Sequence, residues 1–196
     1  MYFDFKEDYI MENERVTLTP LQLGHIEELS KIASEAGLWT YFLGKANGHG
    51  RFKNYVGEAI KARENKQAYA FAVYDKKLGE YAGSTRLFEF SAFNTVRLGY
   101  SWLGKAFRGS GVNKNVKFLL FQFAFESFEF ERVGLGVHRE NLVSIEAMKS
   151  VGCKQEGIIR NLFPAIESSG RADAVLFGIL KEEWLSHVKN ELKQVL

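Results

Sequence analysis

The run Arg108-Gly109-Ser110-Gly111-Val112-Asn113 is the stretch of this chain whose residue types and spacing best suit anion chemistry. Ahead of it Val96, Leu98, Tyr100 and Trp102 alternate with Arg97, Gly99, Ser101 and Leu103, the period of a strand with two faces. Beyond it the apolar positions become Val112, Val116, Leu119, Leu120 and Phe123, a helical spacing. The turn therefore falls where unpaired backbone N–H groups collect at a helix N-terminus, and such groups attract phosphate. Two familiar phosphate motifs fail. A P-loop needs Gly-Lys-Ser/Thr where Gly111 is followed by Val-Asn-Lys, and a dinucleotide fingerprint needs a third glycine where Lys114 stands. On these residues alone, a tight glycine turn that binds nothing is the competing reading.

Other reactive side chains are sparse. The single cysteine, Cys153, excludes an internal disulfide and, following Gly152 near a helix end, reads as a small core residue rather than a nucleophile. The four histidines, His25, His49, His138 and His187, are too scattered for a familiar metal-ligand spacing, and no metal is expected. The net charge of +2 arises from 26 basic and 24 acidic residues interspersed along the chain, which lacks the basic footprint of a nucleic-acid binder. The N-terminus carries acidic residues where a signal peptide has a basic start and an apolar core, and no apolar run is long enough to span a bilayer. A soluble cytoplasmic protein with no membrane partner is expected.

With 196 residues, 46% of them hydrophobic and 17 of them Phe, the chain can bury a substantial core as one domain over residues 1–196. Residues 1–13 have no clean period and read as a loosely attached lead-in, with Tyr2, Phe3 and Phe5 available to dock on the body. Arg15–Thr19 alternates like a strand stopped by Pro20, and a helix from Gln22 to Glu35 places Leu23, Ile26, Leu29, Ile32 and Ala33 inward. An aromatic-rich stretch, Gly37 to Gly44, leads to a mobile loop, Lys45 to Arg51, that could border a ligand. A helix over Phe52–Asn65 and a strand over Ala68–Tyr74 follow. Strands Glu80–Phe90, irregular near Gly83, and Val96–Leu103 complete an antiparallel meander, because links this short exclude parallel crossovers. The helix from Val112 to Phe128 has a second apolar stripe of Phe118, Phe121, Phe125 and Phe128, so it is buried on more than one side. Arg132–His138 is the next strand and runs parallel to Val96–Leu103, since a helix separates them. A helix over Asn141–Val151 closed by Gly152, a hairpin of Lys154–Phe163 and Ala172–Leu180 across Glu167–Arg171, and an amphipathic helix from Lys181 end the chain.

Gly99-Tyr-Ser-Trp-Leu, then Arg108-Gly-Ser-Gly-Val-Asn, then Asn141-Leu-Val-Ser144 ahead of Gly152, then Glu156-Gly-Ile-Ile-Arg160, resemble in order and spacing the GNAT superfamily of acyl-CoA-dependent N-acyltransferases. The likeness covers roughly residues 14–185 and is greatest to the branch of the ribosomal-protein N-terminal acetyltransferases. It implies an α/β (α+β) fold: a mixed, largely antiparallel sheet with a splayed parallel pair, flanked by helices. It implies acetyl-CoA as cosubstrate and acetyl transfer to a primary amine, either a protein N-terminus or a small molecule. By the same resemblance Arg108, Gly109, Ser110, Gly111, Val112 and Asn113 bind the CoA pyrophosphate. Asn113 departs from the usual Gly or Ala. Trp102 and Leu103 offer backbone to the pantetheine arm, whose amides pair with strand backbone as another strand would. Asn141 contacts the cofactor, and Ser144 lies near its sulfur; ordinary helix capping is the alternative for both. Gly134 and Gly136, on one face of the opposite strand, would permit close approach, with merely flexible strand glycines as the alternative.

N-acylation needs a neutral amine, donors for the oxyanion and a hydrogen bond for the departing thiolate. Where this branch often carries a glutamate base, two residues before Gly99, this chain has Arg97, which cannot be a base near neutral pH. Another group or water takes the proton, or the protein is a catalytically silent acyl-CoA sensor. His138, ending the strand opposite three residues before Asn141, is the replacement base, because an unperturbed imidazole near 6.5 suits that task; an exposed histidine at a loop entry is the competing reading. Arg97 could instead hold an acceptor carboxylate. A homodimer is compatible with the two-sided aromatic helix and with family habit.

Overall fold

The computed structural model describes residues 3–42, 46–166 and 169–196. Tyr2, Lys45 and Glu167, on which expectations fell, lie outside them. Eight strands form one sheet in the order β1-β2-β3-β4-β5-β6-β8-β7, with β1 Met11–Glu12, β2 Val16–Pro20, β3 Ala68–Asp75, β4 Glu80–Ser91, β5 Thr95–Leu103, β6 Arg132–His138, β7 Lys154–Pro164 and β8 Arg171–Leu180. Every pair is antiparallel except β5 with β6. Among the described residues no helix is long and apolar enough to cross a membrane.

Helices cover the two faces unequally. On one face lie α3, Val112–Gln122, which widens into a π turn over Phe123–Ser127; α4, Leu142–Lys149; and α5, built of Lys181–Glu183, the wider turn Trp184–Val188 and Lys189–Lys193. Their apolar residues join Tyr69, Phe71, Leu87, Val96, Leu98, Val133, Leu135 and Phe177 in the larger core. The second apolar stripe of α3 is buried as expected, with Phe118, Phe121 and Phe125 ringing Trp184 of α5. On the other face α1, Ile26–Ala33, and α2, His49–Glu64, cover only the β2–β5 half through Leu29, Phe52, Val56, Ala72 and Trp102. Among the described residues, no helix lies over the β6–β8–β7 half of that face.

Several local expectations need correction. Residues 3–12 are held rather than loose: Phe3 stacks among Tyr69, Phe90 and Phe128, and Arg63 donates to the carbonyls of Phe5, Lys6 and Glu7. Leu23 is 59% exposed, because residues 23–25 form a tighter turn that rotates it off the inner face of α1. Helix α2 starts at His49, so part of the expected loop is its first turn, and Ala46 ahead of it is buried.

The largest correction concerns β5. Tyr100 has φ +50° and is 44% exposed, and the β4 pairing shifts from Arg86↔Gly99 to Ser84↔Trp102. One extra residue therefore bulges from β5, and every side chain beyond it changes face. Val96 and Leu98 pack under α3, whereas Trp102 packs under α2 with Trp39, Phe52 and Tyr55. The simple alternation of Tyr100 and Trp102 with Val96 and Leu98 does not hold. A second irregularity lies beside Gly83 in β4, as expected.

Candidate active site

The parallel ladder between β5 and β6 runs only from Thr95↔Arg132 to Arg97↔Gly134. Beyond it, Leu98–Leu103 and Leu135–His138 face one another without a ladder, and the Tyr100 bulge lies on the diverging side. A bulge bends its strand and strengthens its twist, which is the local cause of the splay. Two parallel strands thus end in an open crevice at their C-terminal ends, the usual place for ligands in such sheets. The N-termini of α3 and α4 follow those ends.

The glycine loop supplies donors at the crevice. Gly109 and Gly111 have φ +70° and +89°, left-handed values that bring the loop round to the first turn of α3. No acceptor among the described residues meets the backbone N–H groups of residues 109–114; the first ladder bond of α3 is Asn115 N–H to Gly111 O at 3.1 Å. A Cβ built on Gly109 would meet nothing within 4 Å, and one on Gly111 only Asn115 Nδ2 at 4.0 Å. Open space above a row of free donors fits a diphosphate. Arg108 is tied back, its Nε donating to Leu103 O at 3.0 Å, and Ser110 Oγ donates to Phe107 O at 2.7 Å. Both bonds fix the loop. Val112 is buried beneath it and Asn113 half-buried.

Trp102 and Leu103 differ. The Trp102 carbonyl lies against Gly83 of β4, so its backbone is turned away from the crevice, which corrects the expectation for this residue. Its indole forms a wall instead, with Nε1 donating to Tyr55 Oη at 3.2 Å. Backbone groups alternate along a strand, so Ser101 and Leu103 face the gap.

At α4, Asn141 Oδ1 accepts from Ser144 N–H at 3.1 Å, a helix cap, while no hydrogen bond engages the Ser144 hydroxyl among the described residues. Asn141 is thus the cap and Ser144 is not.

His138 is not free to act as a base. It is 5% exposed, its Nδ1 accepts from Glu140 N–H at 3.2 Å, and Nε2 lies 3.2 Å from Pro164 O. The proton must then sit on Nε2 and donate to that carbonyl, leaving no lone pair toward the crevice. Phe163 stacks on the ring, and Tyr41, whose tilted ring lies 5.4 Å from it, donates to Glu140 O at 3.1 Å. His138 fastens the β6–α4 turn; its assignment as base is corrected on these bonds.

Arg97 reaches across the crevice mouth. A Cβ on Gly136 would lie 2.7 Å from its Nη2, so the room left by that glycine is filled by the guanidinium. Gly134 is likewise covered, by Arg132, which pairs with Glu156. Arg97 already has a carboxylate, Glu89 of β4, at 3.2 and 3.3 Å, and this argues against a role in holding an acceptor carboxylate. Glu89 has φ +51° in a second irregular stretch of the β4–β5 ladder. Sequence reading missed Glu89, because a polar residue in a strand reads as solvated surface. It also missed Arg86 and Tyr41; only the aromatic richness around Tyr41 pointed there. Cys153 is buried as expected, and burial pushes its thiol up to about 12, far from a thiolate.

A family model for the acetyltransferase (GNAT) domain matches residues 15–154. The probable N-acetyltransferase YjcK of Bacillus subtilis (strain 168) is 29% identical over 107 residues, 54% of this chain and 59% of its own length. A GCN5-related N-acetyltransferase from Brucella melitensis superposes with TM-score 0.87 and 25% identity over 96% of this chain and 85% of its own. The microcin C7 self immunity acetyltransferase MccE, solved in complex with acetyl-CoA and AMP, shares the fold with TM-score 0.75 and 21% identity over 86% of this chain and 93% of its own.

Proposed function

Because the chain belongs to the acetyltransferase (GNAT) family, its domain model matching residues 15–154, we propose that it transfers an acetyl group from acetyl-CoA to a primary amine. The single observation that carries this is the row of unpartnered N–H groups at residues 109–114, set where β5 and β6 diverge. Gly109, Ser110, Gly111, Val112, Asn113 and the backbone of Lys114 hold the diphosphate. The Leu103 N–H and the unpaired edge of β6 accompany the pantetheine arm. The bound cosubstrate supplies an activated acyl thioester.

The protein's own groups then do the following. Backbone donors in the bulged stretch of β5 face the position of the developing oxyanion. The Ser144 hydroxyl, too weak an acid to give its proton outright, donates a hydrogen bond to the departing sulfur. Glu89 accepts the proton that the amine nitrogen loses on forming the new bond. Support for Glu89 is its contact with Arg97, the side chain that stands where the family's branch often has a glutamate. Asn141 caps α4 and so holds Ser144 in place. The chain acts as one domain in the cytoplasm; the ribosomal-protein acetyltransferase branch is the finer reading from its motifs, and a homodimer rests on family habit, because the second stripe of α3 is covered by Trp184 of the same chain.

Calorimetry with CoA, ATP and NAD tests the reading, followed by acetyl transfer to a panel of amines. Binding of CoA alone with turnover of some amine is expected. No CoA binding overturns the site, and binding without turnover of any amine identifies an acyl-CoA sensor instead.

A further inference from the structure

Arg86 is 9% exposed, yet no carboxylate pairs with it among the described residues, and its Nε has no hydrogen-bond partner. Its guanidinium lies 4.4 Å from the ring centroid of Tyr100 and 5.4 Å from that of Tyr55. Burying an unpaired charge is costly, and the other buried cation and anion each have a means of lessening it. Asp75 is matched by Arg15 at 2.8 Å, and Lys117 donates to Ser101 Oγ at 3.0 Å and loses its proton above about pH 8. Arg86 has no such escape, since a guanidinium is not deprotonated in proteins. Stacking on two tyrosines and the hydrogen-bonding reach of Tyr55 offset part of the cost but leave Nε without an acceptor and the charge without a carboxylate.

Arg86 also lines a cavity of about 430 Å³ under the end of α2, together with Phe88, Glu89, Tyr100, Lys66 and Gln67. That volume suits a small ligand. Lys66 adds positive charge, while Glu89 is already matched by Arg97. Tyr100 belongs both to this cavity and to the bulge where β5 leaves β6, so the cavity adjoins the place where the thioester would lie.

We propose that Arg86 is the acceptor-recognition residue, gripping with its guanidinium the carboxylate of a small amine whose apolar body lies against Phe88 and Tyr100. This rests on the acetyl-transfer reading for the amine, but the anion site can be measured without it. A planar fork matches a carboxylate bidentately, which a lone ammonium does not.

The test is calorimetric titration of amino acids that hold amine and carboxylate at increasing separations, each beside its carboxamide, into the free and the CoA-bound protein. In the wild type at least one acid should bind about ten- to hundredfold more tightly than its amide, the range for hydrogen bonds to a charged group. Arg86→Gln should abolish that preference, and Arg86→Lys, which keeps a cation to hold the fold, should retain part of it. CoA affinity should be unchanged in both variants. Equal binding of acids and amides, no binding by any member, or a preference that survives in Arg86→Gln overturns the proposal. Failure of CoA to bind the wild type defeats the acetyl-transfer reading instead, and the titrations of the free protein still decide the anion site.

Discussion

Lys117 Nζ donates to Ser101 Oγ at 3.0 Å, joining the centre of α3 to the strand residue just after the Tyr100 bulge. Ser101 Oγ in turn lies 2.7 Å from Thr85 Oγ1. The lysine is wholly buried, and burial pushes its ammonium down to about 8. The folded pKa is thus depressed below the unfolded 10.5. Below pH 8 both states are protonated and the folded state carries the full cost of the buried charge. Above it the unfolded chain binds more protons, so this group raises stability with pH. Cys153, Tyr55 and Tyr69, whose pKa values burial raises, act in the opposite sense at higher pH. Urea unfolding of wild type against Lys117→Met isolates the lysine: relative to the mutant, the wild type should gain about 1 kcal/mol per pH unit between about pH 8 and 9. A constant difference over that interval would refute the depressed pKa.

Gly111→Val should weaken CoA binding more than it weakens the fold. At φ +89° a branched side chain is strained by about 1–2 kcal/mol, and it projects into the open space above the free N–H groups. Denaturation and CoA titration of the same variant separate the two effects. An unchanged CoA affinity in a folded variant would remove the loop from the site.

His138→Asn should cost stability and leave the pH dependence of turnover alone. Two hydrogen bonds, to Glu140 N–H and Pro164 O, are lost or lengthened, a change of roughly 1–3 kcal/mol. If the residue were the base instead, the acidic limb of the kcat/KM profile would move.

Glu89→Gln should lower turnover about a hundredfold near neutral pH, with the deficit shrinking as pH rises and more of the acceptor amine is already neutral. The fold should hardly notice, because the Glu89–Arg97 pair is exposed and such pairs contribute little. A pH-independent deficit would argue for substrate binding rather than proton removal.

Ser144→Ala should reduce kcat about ten- to hundredfold with little change in acetyl-CoA affinity, since its hydrogen bond matters chiefly to the developing thiolate. Pre-steady-state measurement of the acyl-transfer step checks that the loss lies in chemistry. Equal losses in binding and turnover would place the hydroxyl against the cosubstrate's ground state.

What the sequence determined by itself is the order of elements and the anion turn. Period-2 and helical spacings are local properties, so β6 and both strands of the last hairpin could be read to within a residue or two, and short links fixed the antiparallel meander. The glycines at 109 and 111 announced a turn that needs left-handed backbone and leaves donors free. Tertiary structure alone decided which side chains meet. One extra residue at Tyr100 moved Trp102 to the opposite face from Val96 and Leu98, and no alternation pattern records an insertion that changes only the register with β4. His138 looked available until the β7–β8 hairpin brought the Pro164 carbonyl to its ring. Arg86, Glu89 and Arg97 read as ordinary strand charges. Their meaning came from which of them found a partner once β4 and β5 lay side by side, since charge compensation depends on distance in space and not on spacing in the chain.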